Sequence, residues 1–91
     1  MPVFKANDPL VVEVSDTTLR FDRTTKAALY ARAGIREYWI VDITGRQVLV
    51  HRQPAAEGYA EIAAYTADES VAPLALPDEA VRVADLLPPL A

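Results

Sequence analysis

Two spacings of apolar residues divide this 91-residue chain into short strands and one helix. Leu10, Val11, Val12 and Val14 make a β-favouring run between Pro9 and Ser15-Asp16, the pattern of a short, mostly buried strand interrupted by Glu13. Asp22 stands where an N-cap belongs, and the alanine-rich stretch Arg23 to Ala33 reads as a helix that Gly34 ends in a left-handed conformation. On it Arg23, Lys26 and Tyr30 share a face beside a more apolar stripe of Thr25, Leu29 and Ala33. This places Lys26 in the first helical turn, near the loop that leaves the strand of Glu13.

The rest of the pattern is β. Arg36 to Val41 is rich in Tyr, Trp, Ile and Val. Asp42 to Gly45 reads as a turn, and Gln47 to Arg52 sets Val48 and Val50 against Gln47, Leu49 and His51, which completes a hairpin. After a loop from Gln53 to Gly58, Tyr59 to Tyr65 alternates with Tyr59, Glu61, Ala63 and Tyr65 on one side and Ala60, Ile62 and Ala64 on the other. Beyond Ala67 the chain is punctuated by Pro73 and Pro77. There Val71, Leu74 and Leu76 suit an extended cover, and Val81 and Val83 precede a single helical turn at Ala84 to Leu87 that closes the core. Met1 to Asn7 reads as an arm. The expected fold is α/β of the α+β kind: a mixed, largely antiparallel sheet with one main helix, in a single domain over residues 1–91.

Composition narrows the function classes. Hydrophobic residues make up 52% and charged residues 24%, the mix of an ordered globular domain rather than a disordered one. A formal net charge of −4 gives no global pull toward nucleic acid, so such binding would depend on local cations or a divalent metal. With no cysteine, disulfides and thiolate metal sites are excluded. No apolar run is long enough to span a membrane and the N-terminus lacks a signal-peptide core, so a cytoplasmic protein is expected.

Two residues stand out chemically. Glu13 within an apolar strand either points to water from a strand near the sheet edge or is paired, hydrogen-bonded or metal-bound, since burying a bare carboxylate costs several kcal/mol. Lys26 near a positive helix terminus gains nothing from the dipole, which makes it an odd choice for stability alone. By contrast Tyr38 and Trp39 read as packing residues; Tyr30 is within reach of the same pocket, although an aromatic at helical spacing is more often core. His51, the only histidine, reads as a surface residue, and the scattered arginines as a solvated face. Neither a Gly-rich phosphate loop nor a Ser-His-Asp constellation is present.

The pattern EVSDTTLRFDRTTKAALYARAGIREYWIVD resembles the core of the Uma family of restriction-endonuclease-like proteins, within the PD-(D/E)XK nuclease superfamily. The match runs through Glu13, Asp22, Arg23, Lys26, Tyr30 to Gly34 and Glu37 to Asp42, and the closing Ala84-Asp85-Leu86-Leu87 segment is similar as well. The resemblance implies a Mg²⁺- or Mn²⁺-dependent endonuclease acting on nucleic acid, with Glu13 and Asp8 as metal ligands and Glu13 and Lys26 as catalytic residues. Asp8 lies five residues before Glu13, where the family's short form has four. On a regular strand that spacing sets the two side chains on opposite faces, so an irregular start at Pro9 is needed to bring Asp8 back.

What is present is similar to roughly the C-terminal half of a complete member, so a truncated version of the fold is expected, with weak intrinsic metal binding. Three functions follow: a metal-dependent nuclease, a catalytically inactive remnant or interaction module of the same fold, and part of a site completed by another chain. A strand left without its covering neighbours is adhesive, which leads us to expect a homodimer.

Overall fold

The computed structural model describes residues 10–89. Strand β1 (Val11–Ser15) runs parallel to β2 (Glu37–Asp42), which pairs antiparallel with β3 (Gln47–Ala55), itself antiparallel to β4 (Gly58–Thr66). The sheet order is β1-β2-β3-β4. Parallel neighbours need a long crossover, and here it is one continuous helix, α1, that passes through an α-helical Leu19–Phe21, a π-helical turn Asp22–Lys26 and an α-helical Ala27–Arg32. The expected mixed, largely antiparallel sheet with one main helix is therefore present.

Alternation on β2 builds two cores. Tyr38 and Ile40 face α1 and pack with Val11, Ala27, Tyr30, Ala31, Ile35, Leu49 and Tyr59. Trp39 and Val41 face the other way and pack with Val48, Val50, Val71, Val83 and Leu87. The second core is roofed by the C-terminal segment, in which β5 (Ser70–Val71) pairs with β6 (Val81–Arg82) ahead of a 3₁₀ turn, Val83–Leu86. Every residue of β2 is consequently buried.

One side chain ties this roof to the sheet. Glu37 is fully buried; its Oε2 accepts from Trp39 Nε1–H at 2.7 Å and Arg52 Nε–H at 2.8 Å, and its Oε1 accepts from the Leu74 amide at 2.8 Å. Arg52 also donates from Nη2 to the Ala72 carbonyl at 2.8 Å. Arg52 is thus a half-buried structural cation rather than part of a solvated face.

Local expectations shift at several points. The buried side of β1 carries Val11, Glu13 and Ser15, while Val12 and Val14 are 37% and 66% exposed, because the pairing sets Glu13 beside Ile40 on the helix side. The helix begins at Leu19, not Arg23. Asp22 lies inside it, donating its amide to the Thr18 carbonyl at 2.9 Å, so it is not the N-cap, and Lys26 falls in the second turn. Gly34 does end the helix with φ +80°. Strand β3 runs on through Pro54 to Ala55, and Gln53 takes φ +60°. That kink breaks the alternation across the hairpin: Tyr59 joins the helix-side core while Tyr65 packs on the opposite one.

Removing one partner of a buried ion pair leaves the other charge uncompensated. Glu37→Ala is accordingly expected to lower the unfolding free energy by about 3–5 kcal/mol, measured by urea denaturation. A cost below about 1 kcal/mol, the range of surface pairs, would mean that the clamp contributes nothing.

Candidate functional site

The site is assembled where β1 meets the widened turn of α1. Glu13 is 4% exposed, yet neither carboxylate oxygen is bare: Oε1 accepts from Lys26 Nζ at 2.6 Å and Oε2 from the Tyr30 hydroxyl at 2.5 Å. Asp22, also buried, sits 3.7 Å from the same ammonium through Oδ1 and accepts from Thr18 Oγ1 at 3.0 Å through Oδ2. Tyr38 donates its hydroxyl to the Asp22 carbonyl at 3.2 Å and meets the Tyr30 ring edge-on with centroids 4.9 Å apart.

The electrostatics follow from this enclosure. Two carboxylates share one ammonium, so the trio keeps a net negative charge. Lys26, whose side chain is 19% exposed, is the member that reaches solvent. Its hydrogen bond to Glu13, reinforced by the charges of Glu13 and Asp22, holds its pKa above the ordinary 10.5 against the opposing effect of burial. A lysine raised in the folded state contributes stability that is fully present below the unfolded value and fades as pH rises through the folded one, so the pair is intact at neutral pH. Burial and then the hydrogen bond to Glu13 push the Tyr30 phenol well up from its ordinary value, which keeps it a donor.

Among the residues singled out by sequence, Glu13 and Lys26 are brought into direct contact, while Asp8 lies outside the described residues. Tyr30, weighed by sequence chiefly as core, and Asp22, read there as an N-cap, complete the site. The i, i+4, i+8 spacing of Asp22, Lys26 and Tyr30 on one helix was the available signal, since it aligns them on a single face. No group of three His, Cys, Asp or Glu side chains that could hold a metal occurs among the described residues. No helix among them is long and apolar enough to cross a membrane.

His51 corrects a second expectation. It is 1% exposed, because its strand position pairs with Tyr38 on the helix side and β4 and α1 cover it. Nδ1–H donates to the Tyr38 carbonyl at 3.1 Å, which leaves Nε2 as the lone-pair nitrogen. Burial lowers its pKa from 6.5, with the nearby Arg23 charge acting in the same direction and the carbonyls of Tyr38 and Leu49 opposing.

A buried strand carboxylate faced by a lysine of the following helix, on a mixed sheet, is consistent with the restriction-endonuclease-like class of α+β proteins. Within that class the chain belongs to the Uma2 family, described as putative restriction endonuclease, whose sequence profile matches residues 5–85. No curated protein matches the sequence significantly.

Two outcomes are expected here. Tyr30→Phe removes a hydrogen bond to a charged group and should cost about 1.5–3 kcal/mol, read by thermal and urea unfolding; no change would mean the hydroxyl is not bonded to Glu13 in solution. For His51 the unfolded chain binds the extra proton first, so stability should fall as pH drops through 6.5, and His51→Gln should flatten that slope. Denaturation curves at several pH values between neutral and mildly acidic check this; equal slopes in both proteins would place the titration elsewhere.

Proposed function

We propose that the chain is a metal-dependent nuclease that hydrolyses phosphodiester bonds at the Glu13–Lys26 site. The observation that carries this reading is a buried strand carboxylate and a helix ammonium 2.6 Å apart, with the ammonium at the solvent-facing side. Lys26 closes the π-helical turn Asp22–Lys26, and such turns are frequent at functional sites.

The donor chemistry fits a hard cation in part. Mg²⁺ and Mn²⁺ take carboxylate oxygens and commonly rest on one or two of them, completed by water and substrate phosphate. Glu13 would hold the ion, with Asp8 as the second carboxylate. When bound, such an ion polarises a phosphoryl oxygen and lowers the pKa of its water. The chain's own residues do the rest: Tyr30 anchors one Glu13 oxygen and so fixes the carboxylate's orientation. Lys26, released from the other oxygen, stabilises negative charge developing on the phosphoryl group. Asp22 offers the ammonium a second partner 3.7 Å away, so it need not leave the site.

Glu13→Gln and Lys26→Ala should each lower Mn²⁺-dependent cleavage of plasmid and oligonucleotide substrates by roughly 10²–10³-fold, with circular dichroism confirming the fold. A well-folded wild-type chain that yields no product under any divalent ion would instead support the inactive interaction module. Mn²⁺ binding by the isolated chain should be weak, and a tight site that survives Glu13→Gln would identify the wrong ligand.

We further propose a two-fold dimer that covers β1. Among the described residues this strand pairs only with β2, and Val14 on its outer face is 66% exposed. Sedimentation across micromolar concentrations should show a rising mass; a monomer at every concentration would overturn the assembly.

A further inference from the structure

Beside α1, the helix and strands β3 and β4 line two adjoining half-open pockets of about 330 Å³ each, with Arg23, Thr24, His51 and Ile62 common to both. That volume is at the lower end of the range of about 300–1,000 Å³ for small-molecule sites. The cationic end holds Arg20 and Arg23, both exposed, and neither has an ion-pair partner among the described residues. The other end holds Glu57 and the ring of Tyr59. His51, 1% exposed, lines both pockets, and with Nδ1–H on the Tyr38 carbonyl its neutral ring has Nε2 left as an acceptor.

Each feature selects part of a ligand. Two unpaired guanidiniums in an otherwise acidic protein are suited to a phosphate, to which arginine donates bidentately. Ile62, 55% exposed, supplies apolar surface for a flat ring or sugar. The imidazole acceptor and the Glu57 carboxylate both require donors, such as an exocyclic amine or a hydroxyl. An inorganic anion satisfies the first end only, and a neutral apolar ligand satisfies neither end.

We propose that this groove binds one nucleotide unit, its phosphate on Arg20 and Arg23 and its amine-bearing base toward His51 and Glu57. The inference stands apart from the hydrolytic reading, since binding here requires neither Glu13 nor a metal. A free nucleotide and a residue of a nucleic-acid strand present the same chemistry, and the probes below separate them.

The test is metal-free titration of the full chain with deoxyadenosine 5′-monophosphate, deoxyadenosine, inorganic phosphate and a short single-stranded oligodeoxyadenylate, followed by ¹⁵N NMR of the His51 ring and the arginine Nε–H groups. The monophosphate should shift His51 Nε2 and both arginine signals, and should bind at least tenfold more tightly than deoxyadenosine or phosphate. The paired substitution Arg20→Gln and Arg23→Gln, at exposed positions that leave the core intact, should weaken it at least tenfold. Tighter binding of the oligonucleotide than of the monophosphate identifies a strand as the source, and equal or weaker binding identifies the free nucleotide. Phosphate binding as tightly as the monophosphate, an unmoved His51 signal, or full affinity in the arginine variant would each overturn the proposal.

Discussion

Everything on the helix side of this protein depends on how the buried charge of Glu13 is compensated. A carboxylate removed from water costs several kcal/mol unless its lone pairs are filled, and here a lysine and a tyrosine from successive turns of one helix fill them. The same contacts fix how α1 lies on the sheet, since Lys26 and Tyr30 can reach one strand only from one rotation of the helix. Stability and potential chemistry are therefore held in the same few atoms.

The sheet separates two carboxylates with opposite circumstances. Glu37 has three donors, two of them neutral, and its cationic partner Arg52 is itself anchored to a backbone carbonyl. Nothing in that arrangement can move without opening the C-terminal roof. Glu13 instead faces a lysine with an alternative acid within 3.7 Å and part of its surface in water. A rigid pair and a pair with freedom to exchange thus occupy adjacent strands of one sheet.

Much of this architecture was legible from the sequence, because period-2 and helical spacings survive wherever one face is buried. The β2–β3 hairpin, the third antiparallel strand, the glycine stop at Gly34 and the C-terminal cover all follow from such patterns. What escaped had a physical cause in each case. Val12 and Val14 look like core by composition, but strand register, which no local pattern contains, turns Glu13 inward in their place. His51 looked like surface because its neighbour Arg52 is charged, yet Arg52 itself is half-buried on Glu37 and both faces of β3 are covered there. The start of α1 was misjudged since Asp22 suits a cap so well; its actual use is to face Lys26. Tyr59 changed sides through a positive φ at Gln53, a residue type that gives little warning of it.

The π-helical turn at Asp22–Lys26 determines which stripe of the helix meets β1. Such a turn holds one residue more than an α-helical turn, and one α-helical residue corresponds to a rotation of about 100°. A regular helix lacking that residue would present a different stripe to β1 on one side of the gap, so the thirteen-residue separation of Glu13 and Lys26 is meaningful only together with the widened turn. One residue more in this turn is sufficient to bring a lysine and a tyrosine round to one strand. In comparing such helices between proteins, a one-residue gap within them would then mark a change in the site and not a defect in the alignment.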